Sequence, residues 1–361
     1  MGRRAVVSAR VHGISPNRFD TIEPMRILSA VFGVALLASS LAAADKPLQI
    51  FFVDVEGGQA TLFVSPSGQS LLVDTGWGYN AFRDANRIVA AAKLAKIKKI
   101  DYVLITHFHS DHVGGVPQLA QKMPIGAFVD HGENRETSKA SQTLYAEYKT
   151  AMGSTNHITA KPGDKIPIKG LDVTAVSADG ALLSQALPGA GGANQYCSGV
   201  QQKATDPSEN ARSLGIILQF GKLRIVDLGD LTWNKELELM CPENKLGRAD
   251  IFVVSHHGID QSNSPALVHA LAPRVAIMDN GSKKGGAPSA WDIVKSSPGL
   301  LDLWQLHFSD AGGAEHNSPD PFVANVEESD TGFYLKLTAH QDGSFTVFNP
   351  RNKFSKDYPA R

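Results

Sequence analysis

The run Thr106-His107-Phe108-His109-Ser110-Asp111-His112-Val113-Gly114-Gly115 sets three histidines and an aspartate within six positions, directly after the apolar segment Tyr102-Val-Leu-Ile. A fold that uses this run must deliver it from the end of a strand and bring further polar residues to meet it. In an extended segment residues two apart point the same way, so His107 and His109 can converge on one ion. Asp111 and His112 fall on the turn that follows and can face a second. Gly114 and Gly115 let the backbone approach where a Cβ would crowd it. A lone loop histidine is normally a solvated side chain. Four potential ligands at this spacing read as half of a metal site.

Further segments carry the other half. Leu71-Leu-Val-Asp74-Thr-Gly76, Ile225-Val-Asp-Leu-Gly-Asp230 and Asp250-Ile-Phe-Val-Val-Ser-His256-His257-Gly258 are each an apolar strand ending in a carboxylate or imidazole. Together with the histidine run they resemble, in order, the signature segments of the metallo-β-lactamase superfamily. The resemblance implies an α/β fold, a four-layer αββα sandwich. It implies that Asp74 supports the metal loop, that Asp230 bridges two ions, and that one of His256 and His257 completes the second site. Adjacent residues at a strand end point to opposite sides, so one of the pair binds metal and the other meets substrate. His257 is taken as the ligand and His256 as the residue that contacts substrate or donates a proton to the leaving group. The metal set is therefore His107, His109, Asp111, His112, Asp230 and His257, with Asp111, His256 and Asn210 as candidate catalytic residues. Imidazole and carboxylate ligands without thiolate suit zinc, one or two ions, and tolerate manganese or iron. A hydroxide held by the ions would be the nucleophile.

One departure from the family pattern narrows the reading. Most members carry a further histidine before the strand that leads to the bridging aspartate. Here the position falls in Glu209-Asn210-Ala-Arg-Ser213-Leu, which has none. Asn210 is then a weak oxygen ligand or orients a water, and the first site is under-coordinated. His131 could reach the site instead, although such a residue is more often an ordinary loop histidine. His307 and His316, flanking a Gly-rich loop, are candidates for substrate contact; His157, His269 and His340 read as surface or packing residues. The opening Ile50-Phe-Phe-Val-Asp54 through Ala60, with Asn210-x-x-Ser213, Gly229-Asp230 and Ser255-His-His-Gly258, resembles the hydrolase domain of the bacterial competence (DNA-uptake) channel family, which also lacks that histidine. The likeness covers about residues 48–282. It implies hydrolysis of a phosphodiester: DNA, a nucleotide or another small-molecule ester. Hydrolysis of a carbonyl bond (lactam, lactone, thioester) is the alternative, and a weakly active binding protein the alternative from another class.

Composition bounds the remainder. With 361 residues, 42% of them apolar, the chain can bury one large core. Residues 1–24 are polar and read as a start placed too early. Met25-Arg26, the apolar stretch Ile27 to Leu37 and Ala42-Ala-Ala44 have the parts of a signal peptide over 25–44. Those 11 apolar residues fall short of the ~20 that span a bilayer. The expectation is one domain over 45–361, exported to a periplasm or the medium, with no integral membrane segment. Of 35 Lys+Arg and 36 Asp+Glu, five Arg and two acids lie in 1–44, leaving 30 against 34. That balance argues against broad electrostatic wrapping of nucleic acid and leaves room for a local basic rim. Cys197 and Cys241 form either a bridge or two buried thiols.

The periodicity predicts strands at 48–55, 60–64, 70–73, 102–106, 125–129, 165–168, 171–177, 214–220, 223–227, 251–255, 274–279 and 302–306, and a closing hairpin at 333–338 and 344–348. It predicts helices at 81–96, 116–122, 138–150, 233–240, 265–271 and 289–296. The stretch 179–212, rich in Gly, Ala, Gln and Asn, reads as structureless: a functional loop near the metal mouth or a surface insertion.

Overall fold

Successive residues of the first strand, Leu48–Phe52, are buried on opposite sides. Leu48, Ile50 and Phe52 enter a core shared with Ile216, Ile225, Ile251, Val275 and Trp304. Phe51 and Val53 enter a second core under helix Arg83–Leu94 with Ile88, Leu119 and Phe128. The second half of the chain does the same. Ile225, Ile251 and Ile277 face the shared core, while Val226, Phe252 and Ala276 pack with Leu239, Leu267 and Val294 of the outer helices. Strands apolar on both faces need cover on both, and this is what stacks four layers: helix, sheet, sheet, helix.

The structure, a computed structural model, describes residues 46–327 and 331–361. The expected signal peptide and early start lie outside them. Among the described residues no helix is long and apolar enough to cross a membrane. Two nine-stranded sheets form. The first runs 354–358, 345–349, 335–339, 48–52, 61–64, 70–73, 100–104, 125–130, 156–159. It is antiparallel up to 70–73 and parallel from there on. The second runs 323–325, 302–307, 275–278, 251–253, 223–227, 215–220, 172–178, 165–166, with 181–182 paired beside 172–178. Its strands 223–227, 251–253, 275–278 and 302–307 are parallel. Ligands in such sheets collect outside the carboxyl ends of parallel strands. Asp74, His107, His131, Asp230, His257, Lys284 and His307 all lie at or after such ends.

Local chemistry sets the helix boundaries. Ser138 Oγ accepts from Ser141 N to start Lys139–Met152, and Ser264 Oγ accepts from Leu267 N ahead of Pro265, where the missing N–H costs nothing. The sheets are joined by a buried hydrogen bond: Gln59 Nε2 donates to Asp227 Oδ2 at 2.7 Å.

The stretch 179–212 is not structureless. It holds strand pieces Ala181–Leu182 and Gly192–Ala193 and short turns Gln195–Cys197 and Glu209–Arg212. Cys197 is bridged to Cys241, which follows helix Trp233–Met240. The ladder of Gly192–Ala193 with Glu243–Asn244 and a bridge between residues 44 apart depend on partners far along the chain, while Ala181–Leu182 folds back on its neighbour Ser177–Ala178. Cys197→Ser/Cys241→Ser should lower stability by on the order of 2–4 kcal/mol, through the freed loop entropy of the unfolded chain; a denaturant titration checks this.

Burial raises the Asp227 pKa to about 7, only partly offset by Gln59. The folded value lies above the unfolded one of 3.8. The favourable contribution of the protonated acid is therefore complete below about pH 4 and is lost as pH rises through about 7. Asp227→Asn should flatten the pH dependence of stability over that window, measured by thermal melts.

Candidate metal centre

Strand Ile100–Leu104 ends just before Thr106, and the chain turns so that His109 O accepts from both His112 N and Val113 N. This turn packs against the loop after Val73. A Cβ on Gly115 would stand 2.1 Å from Thr75 O, and one on Gly114 2.2 Å from Ser110 O, so neither position admits a side chain. Asp74, at φ 59°, accepts from Thr106 N at 2.8 Å and Thr106 Oγ1 at 2.7 Å. The same carboxylate lies 2.7 Å from His112 Nδ1, which leaves His112 Nε2 to face inward. Asp74 thus orients a ligand and sits behind it.

Asp111, His112, Asp230 and His257 come together with one ligand atom each, all within 4.8 Å of one another, and all four are buried. His112 Nε2 lies 3.2 Å from Asp111 Oδ2, from Asp230 Oδ2 and from His257 Nε2. His107 and His109 stand beside this group. His107 Nε2 is 3.0 Å from His109 Nδ1 and 3.8 Å from Asp230 Oδ2. The Asp230 carboxylate therefore lies between the His107 side and the His112–His257 side. His109 Nε2 is held by Glu136 Oε1 at 2.9 Å, so Nδ1 is its inward atom.

The histidine pair corrects one geometric expectation. The strand stops at Val253, and His256 and His257 sit in a tight turn at φ 52° and 53°. Left-handed backbone does not alternate its side chains as a strand does, so both imidazoles reach Asp230. His257 Nε2 is 3.5 Å from Oδ1 and His256 Nε2 is 3.3 Å from Oδ2. His256 remains the more peripheral, 8% exposed against 1%. Left-handed conformations at Asp74, His256 and His257 are strained positions gathered at one site.

Asn210 lies in the turn Glu209–Arg212, buried, and its Oδ1 has no hydrogen-bond partner. His131 does not join the cluster through Nε2, which bonds Glu209 Oε2 at 2.9 Å. His307 is buried against Asp54 (2.7 Å) beside Glu56 in an internal pair, while His316 lies 3.5 Å from the exposed Asp292 at the surface. Sequence reasoning missed Glu209, Glu136 and Lys284. Glu209 accepts from Phe108 N and Arg135 N, which pins the backbone between His107 and His109. Lys284 Nζ pairs with Asp111 Oδ2. Only its place after a parallel strand of the second sheet marked it in advance.

The electrostatics are those of a cation site. Burial alone would lower the His112 pKa, but Asp230, Asp111 and Asp74 raise it well above the ordinary histidine range. His257 behaves likewise, carried to about 10 against burial and Lys284 by Asp230 and Asp279. Burial would raise Asp111 and Asp230, yet the surrounding imidazoles hold both well below the carboxylate range. Burial and neighbouring His112 push His107 well down, which keeps it neutral and ligand-competent. Asp230 Oδ1 is a buried oxygen without a hydrogen-bond partner. Buried carboxylates that converge on imidazoles and hold positive charge there, with an orphaned oxygen among them, fit a divalent ion with N/O ligands.

Residues 53–193 match the profile of the family described as the Metallo-beta-lactamase superfamily. Over those residues the chain is similar to that family. Members of this superfamily are in general metal-dependent hydrolases. The chain is 24% identical to Recombination protein 2 of Haemophilus influenzae over 264 residues, 72% of this chain and 28% of that protein. It is 28% identical to the hydroxyacylglutathione hydrolase of Stenotrophomonas maltophilia over 102 residues, 28% of this chain and 37% of that one. The chain thus spans well under half the length of these relatives. Among solved structures it is similar to a metal-dependent hydrolase of the beta-lactamase superfamily, with TM-score 0.41 and 15% identity, covering 73% of this chain and 97% of that one.

Asp74→Ala should weaken metal binding 10- to 100-fold while the fold survives, because His112 loses the partner that sets its orientation. Metal content after dialysis at a fixed free-metal concentration checks this.

Proposed function

We propose that this chain is an exported metal-dependent phosphodiesterase. The observation that carries the reading is the placement of Asp230 between two sets of imidazoles, His107 and His109 on one side and His112 and His257 on the other. His107, His109 and Asp230 would hold one ion; Asp111, His112, Asp230 and His257 would hold the other, zinc being the metal best suited to the set. When bound, such ions supply a nucleophilic hydroxide near neutral pH and polarise the phosphoryl oxygen. Asn210 Oδ1, buried without a hydrogen-bond partner, is the group proposed to orient a water. His256, at the edge of the cage with Nδ1 3.4 Å from Ser262 Oγ, would contact substrate or pass a proton to the leaving alkoxide.

The choice of phosphodiester over a carbonyl substrate is supported by asparagine at the position where most members of the superfamily have a histidine, a feature shared with the competence-type hydrolase domain. The likeness to Recombination protein 2, over 72% of the chain, agrees with it. The shorter likeness to a hydroxyacylglutathione hydrolase favours a second reading, hydrolysis of a carbonyl bond. The purified protein loaded with zinc or manganese should cleave bis(p-nitrophenyl) phosphate. Chelation should abolish cleavage, and His109→Ala should lower it at least ~100-fold. Turnover of nitrocefin, a lactone or a thioester with phosphodiesters left intact would reverse the two readings. Full metal occupancy with no turnover of either kind would make the protein a binder.

A further inference from the structure

The loop between strand Val275–Met278 and helix Pro288–Lys295 closes over the metal cage. It is pinned there by backbone. Gly286 N donates to His257 O at 2.9 Å, and a Cβ on Gly285 would stand 2.1 Å from that same oxygen. Gly281 N donates to Lys284 O at 2.8 Å, and the loop lies close enough to Gly57 that a Cβ there would meet Lys284 Cβ at 2.9 Å. The Lys284 backbone is therefore held at a set place on the rim, while its side chain keeps 31% exposure.

Its ammonium has two partners. One is Asp111 Oδ2, the oxygen that also stands 3.2 Å from His112 Nε2 and from His257 Nε2. The other is the ring of Trp77, whose centroid lies 5.1 Å away. A divalent ion ligated by Asp111 and an ammonium compete for that oxygen and repel each other at this separation. The pinned backbone confines the displaced ammonium to the rim, and the Trp77 face is its remaining partner. There it is a cation partly open to solvent, directly beside the cage.

We propose that Lys284 is the substrate-binding residue that recognises the anionic oxygen of the phosphodiester, with Trp77 as the surface that holds its side chain when metal is bound. The assignment rests on the phosphodiester reading above and adds its anion-recognition element. An electroneutral carbonyl substrate has no use for this cation; a phosphodiester carries one negative charge that would meet it.

Lys284→Met tests it in the zinc-loaded protein through three measurements. KM for bis(p-nitrophenyl) phosphate should rise on the order of tenfold, as for one lost charge-assisted hydrogen bond, with a smaller change in kcat. The affinity for inorganic phosphate, read by calorimetry, should fall by a similar factor, and Lys284→Arg should restore most of it. Zinc affinity, read by competition with a chelating dye, should rise, because the competing ammonium is gone. Unchanged KM and phosphate affinity in Lys284→Met, or zinc affinity that falls, would overturn the proposal and leave Lys284 as part of the scaffold. A wild-type protein that cleaves no phosphodiester would instead overturn the reading on which the proposal rests.

Discussion

Everything around this site answers to one electrostatic constraint: Asp111, Asp230 and Asp74 surround His112 with almost no access to water. Dehydrated carboxylates that close repel each other and lose solvation, so they persist only where cations or dipoles compensate them. The compensation from the protein itself is partial. It comes from imidazoles whose pKa the carboxylates raise, and from Lys284 at the rim. A divalent ion would balance the same group with one charge at its centre. The second rank of contacts serves the same end, since Asp74, Glu136 and Glu209 hold ligands or their backbone rather than entering the cage.

Neither sheet can build the site by itself. His107, His109, Asp111 and His112 follow a strand of the first sheet; Asp230, His257 and Lys284 follow strands of the second. Their meeting depends on the shared apolar core that fixes the separation of the sheets, and on polar joints at the site's own edge. Gln59 to Asp227 is one joint, and Asp54 to His307 is another, with Arg87 on the second Asp54 oxygen at 3.0 Å. Packed cores deform little, so ligand positions carried on strand ends are held well.

Much of this was legible in the chain. Strands 70–73 and 223–227 and helices 233–240 and 265–271 stand where the pattern put them, because strong periodicity coincides there with a turn or cap at each end. Edge strands Asn156–Thr159 and Phe354–Tyr358 were missed, since their exposed positions are polar and give no buried-strand signal. The stretch 179–212 misled for a different reason: beyond the tight pairing of Ala181–Leu182 with Ser177–Ala178, its order comes from Cys241, Asn244 and Pro242, none of them its neighbours in sequence. The strand-end rule failed at His256-His257, because the strand ends two residues earlier and the pair adopts left-handed backbone.

What the sequence determined by itself is the chemistry: which side chains stand at strand ends, and that they offer nitrogen and oxygen but no thiolate. Those follow from residue identity and from a period-two pattern that reaches only a few residues along the chain. The tertiary structure decided which of those groups share one cage, that both histidines of the pair turn toward Asp230, and that Glu209, Glu136 and Lys284 belong to the site. Contacts of that kind join residues 27 to 173 positions apart, and only strand pairing within a sheet, for His109 and Glu136, or the packing of the two sheets, for Lys284 and Asp111, brings them within a hydrogen bond of one another.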